Sequence, residues 1–315
     1  MNDERFKMEI LLATYNGEKF IREQLDSLFQ QTFSDFKILI RDDGSTDNTL
    51  KIIEEYLEKF PTKITLIKDN KKNVGATQNF GILLEKSDAD YIFFCDQDDI
   101  WLNNKMEISL QKMQAIEKGN IATPCLIFSD MKSMDEAGNI TANSVWQQLH
   151  LHPKYFTLNR LLVQNIPHGC TMLINRAMRN LATPIPKEAM LHDHWIALLA
   201  ASSGKFDFIA EPTLLLRNHT QNVTRKSVSI AGKLKRFLTN SLSKEEYEHY
   251  IKIRVNQAKA LQLRASSFIN LEQFDILKNF IQLEKTSGLN RKKIFLQNKF
   301  YRTTFLHTLK MILRS

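Results

Sequence analysis

Over the first third of the chain, short apolar runs alternate with stretches in which apolar residues recur every three or four positions. MEILLAT is an apolar run ended by the turn residues YNG. From Glu18 to Gln31, Phe20, Ile21, Leu25, Leu28 and Phe29 fall at helical spacing. FKILI reads as a second strand, halted by RDDGSTDN. Thr46 or Asp47 can cap the helix TLKIIEEYLEKF, which stops just before Pro61. KITLIKD, the helical segment ATQNFGILLEKS and the buried run YIFFC continue the series into DQDDIW. This βαβα order predicts an α/β fold with a largely parallel sheet covered by helices. Ligands on such sheets bind beyond the carboxyl ends of the strands. TYNG, RDDGS and DQDD occupy those ends and are expected to converge at one sheet edge.

The pattern turns mixed between Leu126 and Asn222, and becomes helical after about Thr224. Lys244–Ser266 and Leu271–Glu284 read as two packed helices, and Lys292–Arg314 as a third. Division follows at 225/226: an α/β domain over residues 1–225 and a helical C-terminal region over 226–315. In the third helix Ile294, Tyr301, Phe305, Leu309 and Ile312 form an apolar stripe, with Lys292, Lys299, Lys310 and Arg314 mostly opposite.

Charge sharpens the picture of that tail. The net charge is +8, and from Lys285 to Ser315 there are eight Lys or Arg and no acid. Setting those eight aside leaves 35 basic against 35 acidic residues, so the whole excess sits in the last tenth of the chain. A basic amphipathic helix of this kind can lie on anionic lipid; docking on its own domain or on a second subunit is the competing explanation. No apolar run reaches the ~18 residues of a spanning helix. The three cysteines, Cys95, Cys125 and Cys170, form no CxxC pair, which points away from a disulfide framework and toward a reducing, cytoplasmic setting.

Candidate chemistry sits at the strand ends. Asp96, Asp98 and Asp99 crowd three carboxylates into four residues, a repulsive arrangement unless a cation or several donors compensate. Hard oxygen ligands suit Mg²⁺ or Mn²⁺ bridging to substrate phosphates; a solvated turn with a helix-capping Asp is the alternative. Asp42 and Asp43 can accept hydrogen bonds from a nucleobase or ribose, or simply build an Asp-Gly turn. Tyr15 can stack on a base. Asn73, Gly75 and Asn79 lie near a helix start, where backbone amides favour anions. Asp193, flanked by His192 and His194 ahead of an apolar helix, can take a proton from an attacking hydroxyl or cap that helix. Arg217 and His219, two apart, can stabilise a leaving diphosphate, and His219 can also ligate a metal.

The order ATYNG, RDDGSTDNT, NVGATQNFG, CDQDDIW, HDHWIALL resembles the family 2 glycosyltransferases of the inverting GT-A type. DQDDIWLNNK, GCTMLINR, HDHWIALLA, LRNHTQNV and GLNRKKIF are similar to segments of bacterial rhamnosyltransferases that build cell-wall or capsular polysaccharides. The resemblance implies a Rossmann-like GT-A domain that moves a sugar, most directly L-rhamnose from dTDP-rhamnose, onto a polyprenyl-diphosphate-linked glycan; a UDP-hexose donor is the alternative.

It also implies residue roles. Thr14, Tyr15 and Asn16 lie beside the pyrimidine, which Asp42 or Asp43 recognises. Asn73, Asn79, Gln97 and Arg217 line the nucleotide-sugar site, and Asp96 sits near the ribose. Asp98 and Asp99, with His219, hold Mg²⁺ or Mn²⁺. Asp193 is the base, and Trp101, His168, Gly169, Cys170, His192, His194 and Trp195 form the acceptor side. Two departures stand out: Gln78 where an Arg is common, and His168-Gly169 before CTM. The QxxRW signature of processive synthases is absent.

The expected setting is cytoplasmic, peripheral at the inner face of a bacterial membrane through the tail, with room for a homo-oligomer and no nucleic-acid partner. A nucleic-acid-binding module fits poorly, because the acids crowd the sheet edge that phosphates would approach. A metal-dependent nucleotidyltransferase would need a Gly-rich, basic loop near the N-terminus that LLATYNGEKF lacks.

Overall fold

The computed structural model describes residues 6–219 and 244–314. Its chain order is β1 (Met8–Thr14), α1 (Ile21–Phe29), β2 (Lys37–Asp42), α2 (Thr49–Lys59), β3 (Ile64–Leu66), α3 (Ala76–Lys86), β4 (Tyr91–Cys95), β5 (Ile100–Trp101), α4 (Lys105–Glu117), β6 (Cys125–Met134) and β7 (Ile140–Ala142). The short helices α5 (Val145–Gln148) and α6 (Leu158–Leu161) follow, then β8 (Leu173–Asn175), α7 (Arg176–Ala182), α8 (His192–Ser203) and β9 (Lys205–Arg217). The C-terminal helices are α9 (Lys244–Arg264), α10 (Leu271–Ile281), α11 (Gly288–Gln297) and α12 (Phe305–Arg314).

The sheet runs β3-β2-β1-β4-β8-β6-β9-β5, with β7 paired to β6. Its first four strands are parallel, as the alternating pattern predicts. Beyond β4 the sheet is mixed: β8 runs antiparallel between β4 and β6, while β6 and β9 pair in parallel. This GT-A-like fold places the carboxyl ends of β1, β2 and β4 side by side, which brings TYNG, RDDGS and DQDD to one edge. A residue such as Leu12 or Phe93 is wholly buried because both faces of the sheet are covered. One apolar core lies under α1, α2 and α4; the other lies under α3, α7 and α8 and continues without a break into α9–α12.

The C-terminal helices form as their periodicity predicts, with Tyr247, Ile251, Val255, Ala258 and Leu261 burying one face of α9. The tail departs from the expected single helix. It breaks at Asn298, with Lys299 at φ 52, and resumes at Phe305. The buried rings of Phe295 and Phe300 pull this corner into the core, and Asn159 Nδ2 donates to the carbonyls of Asn298 and Lys299 at 3.1 Å each. The tail is therefore docked on its own chain, while Leu306 and Leu313 of α12 remain half or more exposed. The expected boundary at 225/226 lies outside the described residues.

Candidate active site

The strand ends open into one cleft of about 1210 Å³. Thr14, Tyr15 and Asn16 from the β1 end, Asp43 from the β2 end, Asn73 and Asn79 around the start of α3, and Asp96, Gln97 and Asp98 from the β4 end all line it. His168, Gly169, Cys170, His192 and Asp193 face them, and His219 closes the side. Residues from seven separate stretches of chain thus line one cleft.

Asp193 stands in the first turn of α8, where its Oδ1 accepts from the His194 amide at 2.5 Å and its Oδ2 from the Gly169 amide at 3.1 Å. A Cβ on Gly169 would lie 2.4 Å from His192 Nε2, so only glycine admits this approach. Burial raises the Asp193 carboxyl to about 6, with the two amides working against that rise. A carboxylate poised so close to neutrality is suited to collecting a proton.

Across the cleft, His219 Nε2 lies 2.7 Å from Asp98 Oδ2. Burial, then the charges of Asp98 and Asp193, push Asp96 up to about 7. Asp99 is held well above the usual carboxylate range by burial and then by Asp98 and Asp96. Two buried carboxyls that resist ionising, one oxygen of Asp99 lacking a hydrogen-bond partner, and an imidazole beside Asp98 make a donor set that fits a hard divalent cation.

Six of the expected site residues sit behind the wall. Asp42 accepts from Thr14 Oγ at 2.8 Å and from the Gly44 and Ser45 amides, so it shapes the loop while Asp43 faces the cleft. Asp99 is 1% exposed; its Oδ1 accepts from the Arg217 amide at 3.1 Å. Arg217 is equally inaccessible: it donates to the Asp98 and Glu136 carbonyls and pairs with Glu23 at 2.5 Å. Trp101 is sealed beneath Lys105, whose ammonium sits 4.6 Å from its ring. Trp195 is a core residue whose Nε1 donates to the Ala182 carbonyl. His194 is locked between the Leu161 carbonyl and Gln257, and burial lowers it to about 4. None of the last three lines the cleft, because each side chain is packed in the core.

Some roles change within the cleft. The Val74 and Gly75 amides at the start of α3 donate to Asp43 at 3.0 and 2.9 Å, so they hold that carboxylate and are already engaged. Gln97 exchanges two hydrogen bonds with the Tyr15 backbone, at 2.8 and 2.9 Å, and sets that residue's position. Sequence reasoning passed over Arg41, whose five N–H groups are all engaged by Asp69, Asp43, Asn79 and the Lys71 carbonyl. Its place immediately before the Asp pair was the available signal.

Comparison with known proteins decides the lineage. The model of Glycosyl transferase family 2 matches residues 9–181, more than half of the chain. The chain belongs to that family.

Among family 2 relatives, the chain is 31% identical over 242 residues to the dTDP-rhamnosyl transferase RfbG of Shigella flexneri, covering 71% of this chain and 77% of that one. It is 28% identical over 176 residues to WfgD of Escherichia coli, a UDP-Glc:alpha-D-GlcNAc-diphosphoundecaprenol beta-1,3-glucosyltransferase, covering 56% of this chain and 62% of that one. The crystal structure of residues 1–349 of Staphylococcus aureus TarS with UDP-GlcNAc superposes with a TM-score of 0.58 at 17% identity, covering 98% of this chain and 89% of that one. This family 2 protein is thus a glycosyltransferase. No helix among its described residues is long and apolar enough to cross a membrane.

Proposed function

We propose that the chain transfers L-rhamnose from dTDP-rhamnose, with inversion, onto a polyprenyl-diphosphate-linked glycan at the inner face of a bacterial membrane. The observation that carries this reading is the meeting of Asp98 and His219 with Asp193 across one cleft. Asp193 takes the proton of an acceptor hydroxyl as that oxygen bonds to the anomeric carbon. The bond from that carbon to the diphosphate breaks on the opposite face, and its electron pair leaves with the phosphate oxygen. The acceptor's nucleophile and the leaving group must lie on opposite sides of the sugar, and Asp193 and Asp98 both line the cleft that would hold it.

Mg²⁺ or Mn²⁺ held by Asp98, with Asp96 and His219 beside it, would neutralise charge gathering on the nucleoside diphosphate. Asp43 and Tyr15 serve the base, while Gly169 and Gln97 position Asp193 and Tyr15. His168 and His192 face the acceptor side.

The rhamnosyl donor is supported by the likeness to RfbG. The likeness to WfgD favours a second reading, a UDP-hexose donor, and its printed acceptor supports a lipid-linked glycan. The exposed apolar residues of α12 and the basic tail support contact with an anionic membrane surface. Thermal-shift screening of dTDP-rhamnose against UDP-glucose and UDP-GlcNAc, with and without Mn²⁺, separates the donors, because stabilisation follows affinity. The expected result is the largest metal-dependent rise with dTDP-rhamnose; a larger rise with a UDP-hexose would reassign the donor.

A further inference from the structure

We propose that Lys19 is the side chain that meets the departing diphosphate, and that Glu136 occupies it until the donor arrives. This rests on the transfer reading given above. A nucleoside diphosphate entering this cleft faces Asp43, Asp96, Asp98 and Asp193, a wall that repels it unless positive charge is supplied. Arg217 does not supply it, because its guanidinium is 2% exposed and bound to Glu23 and two carbonyls. Among the described residues that line the cleft, Lys19 is the one Lys or Arg.

The geometry places its amine at the phosphate end. The Gly17 amide donates to Thr49 Oγ, and the Gly17 carbonyl accepts from the Phe20 and Ile21 amides, so the backbone around Lys19 is fixed. Its side chain is nonetheless 63% exposed. Lys19 Nζ lies 5.3 Å from the centre of the Phe20 ring, and that ring lies 4.9 Å from the ring of His219, the partner of Asp98. The Phe20 ring thus connects the amine to the residues assigned to the cation, and Glu136 feels the charges of both Lys19 and His219. Its present partner is Glu136, in the turn between β6 and β7, whose side chain is 44% exposed. An ion pair this open to water is weak and readily exchanged. A diphosphate offers the same ammonium more charge and several acceptor oxygens.

The two residues of this pair are expected to act in opposite directions, which makes the assignment testable. Calorimetry of the full chain in Mn²⁺ buffer measures UDP and dTDP, with uridine and thymidine as phosphate-free controls. Lys19→Met is expected to weaken diphosphate binding roughly tenfold and to leave the nucleosides unchanged. Glu136→Gln is expected to tighten diphosphate binding about two- to fivefold, since it releases the amine. If the pair merely ties α1's approach to the β6–β7 turn, both variants lose the same contact and shift alike. That outcome, or a Lys19→Met protein that binds UDP and dTDP as the wild type does, overturns the inference alone. A wild-type protein that binds neither nucleotide overturns the transfer reading and this inference with it.

Discussion

Asp193 holds its proton more firmly than an open carboxylate because burial disfavours its charge, and the hydrogen bonds from backbone amides only partly offset that burial. Its ionised form is the one that accepts a proton, so the sign of the pH dependence follows. Below about 6 the carboxyl is protonated and the base is lost; above it the base is present. In the free enzyme kcat/KM is expected to climb with pH up to about 6 and then flatten on that limb. A stopped assay across this range checks it, and a rate that falls as pH rises toward 6 would exclude Asp193 as base. At this scale the sequence was legible for residue type but not for direction. Asp98 and His219 meet as their chemistry implies, yet Asp42 and Asp43 exchange emphasis, since which of two adjacent side chains faces the cleft depends on a loop built by Thr14 and Ser45. Lys19 carried no signal beyond its place in YNGEKF.

Elements decide which of these side chains count. Helix α8 is apolar along its length, so His192 and Asp193 reach the cleft while His194 and Trp195 are turned into the core. Periodicity could not show this, because a helix buried on every face has no polar side to mark its orientation. Helix α9 reaches back to the same turn: Gln257 accepts from the Met190 amide at 2.7 Å and contacts His194 Nδ1 at 3.2 Å. The C-terminal region thereby supports the helix that carries Asp193. Its last helices were legible as helices, but the break after Gln297 was not, because Phe295 and Phe300 look like stripe residues until the core they enter is known.

The docked tail determines which variant tests its proposed membrane contact. Truncation after Ser287 would remove two buried rings and unsettle the fold. Exchanging the exposed Leu306 and Leu313 for Glu spares the core. The paired variant is expected to keep its melting temperature and to lose flotation with phosphatidylglycerol vesicles; undiminished flotation would contradict contact through α12.

Across the molecule, the parallel half β3-β2-β1-β4 and the convergence of its carboxyl ends were readable from alternation and turn residues alone. The mixed half was not, since β8 has only three residues and owes its place to neighbours 46 to 84 positions away. Yet that half delivers Gly169, Asp193 and His219, so the proposed transfer chemistry depends on long-range pairing that brings these residues to the same cleft as the β1, β2 and β4 ends. Asp193→Asn tests that junction most directly, with donor affinity by calorimetry and turnover measured on the same protein. Donor affinity is expected to stay near wild type while turnover drops by roughly 10²- to 10⁴-fold. Wild-type turnover in that variant would contradict the account.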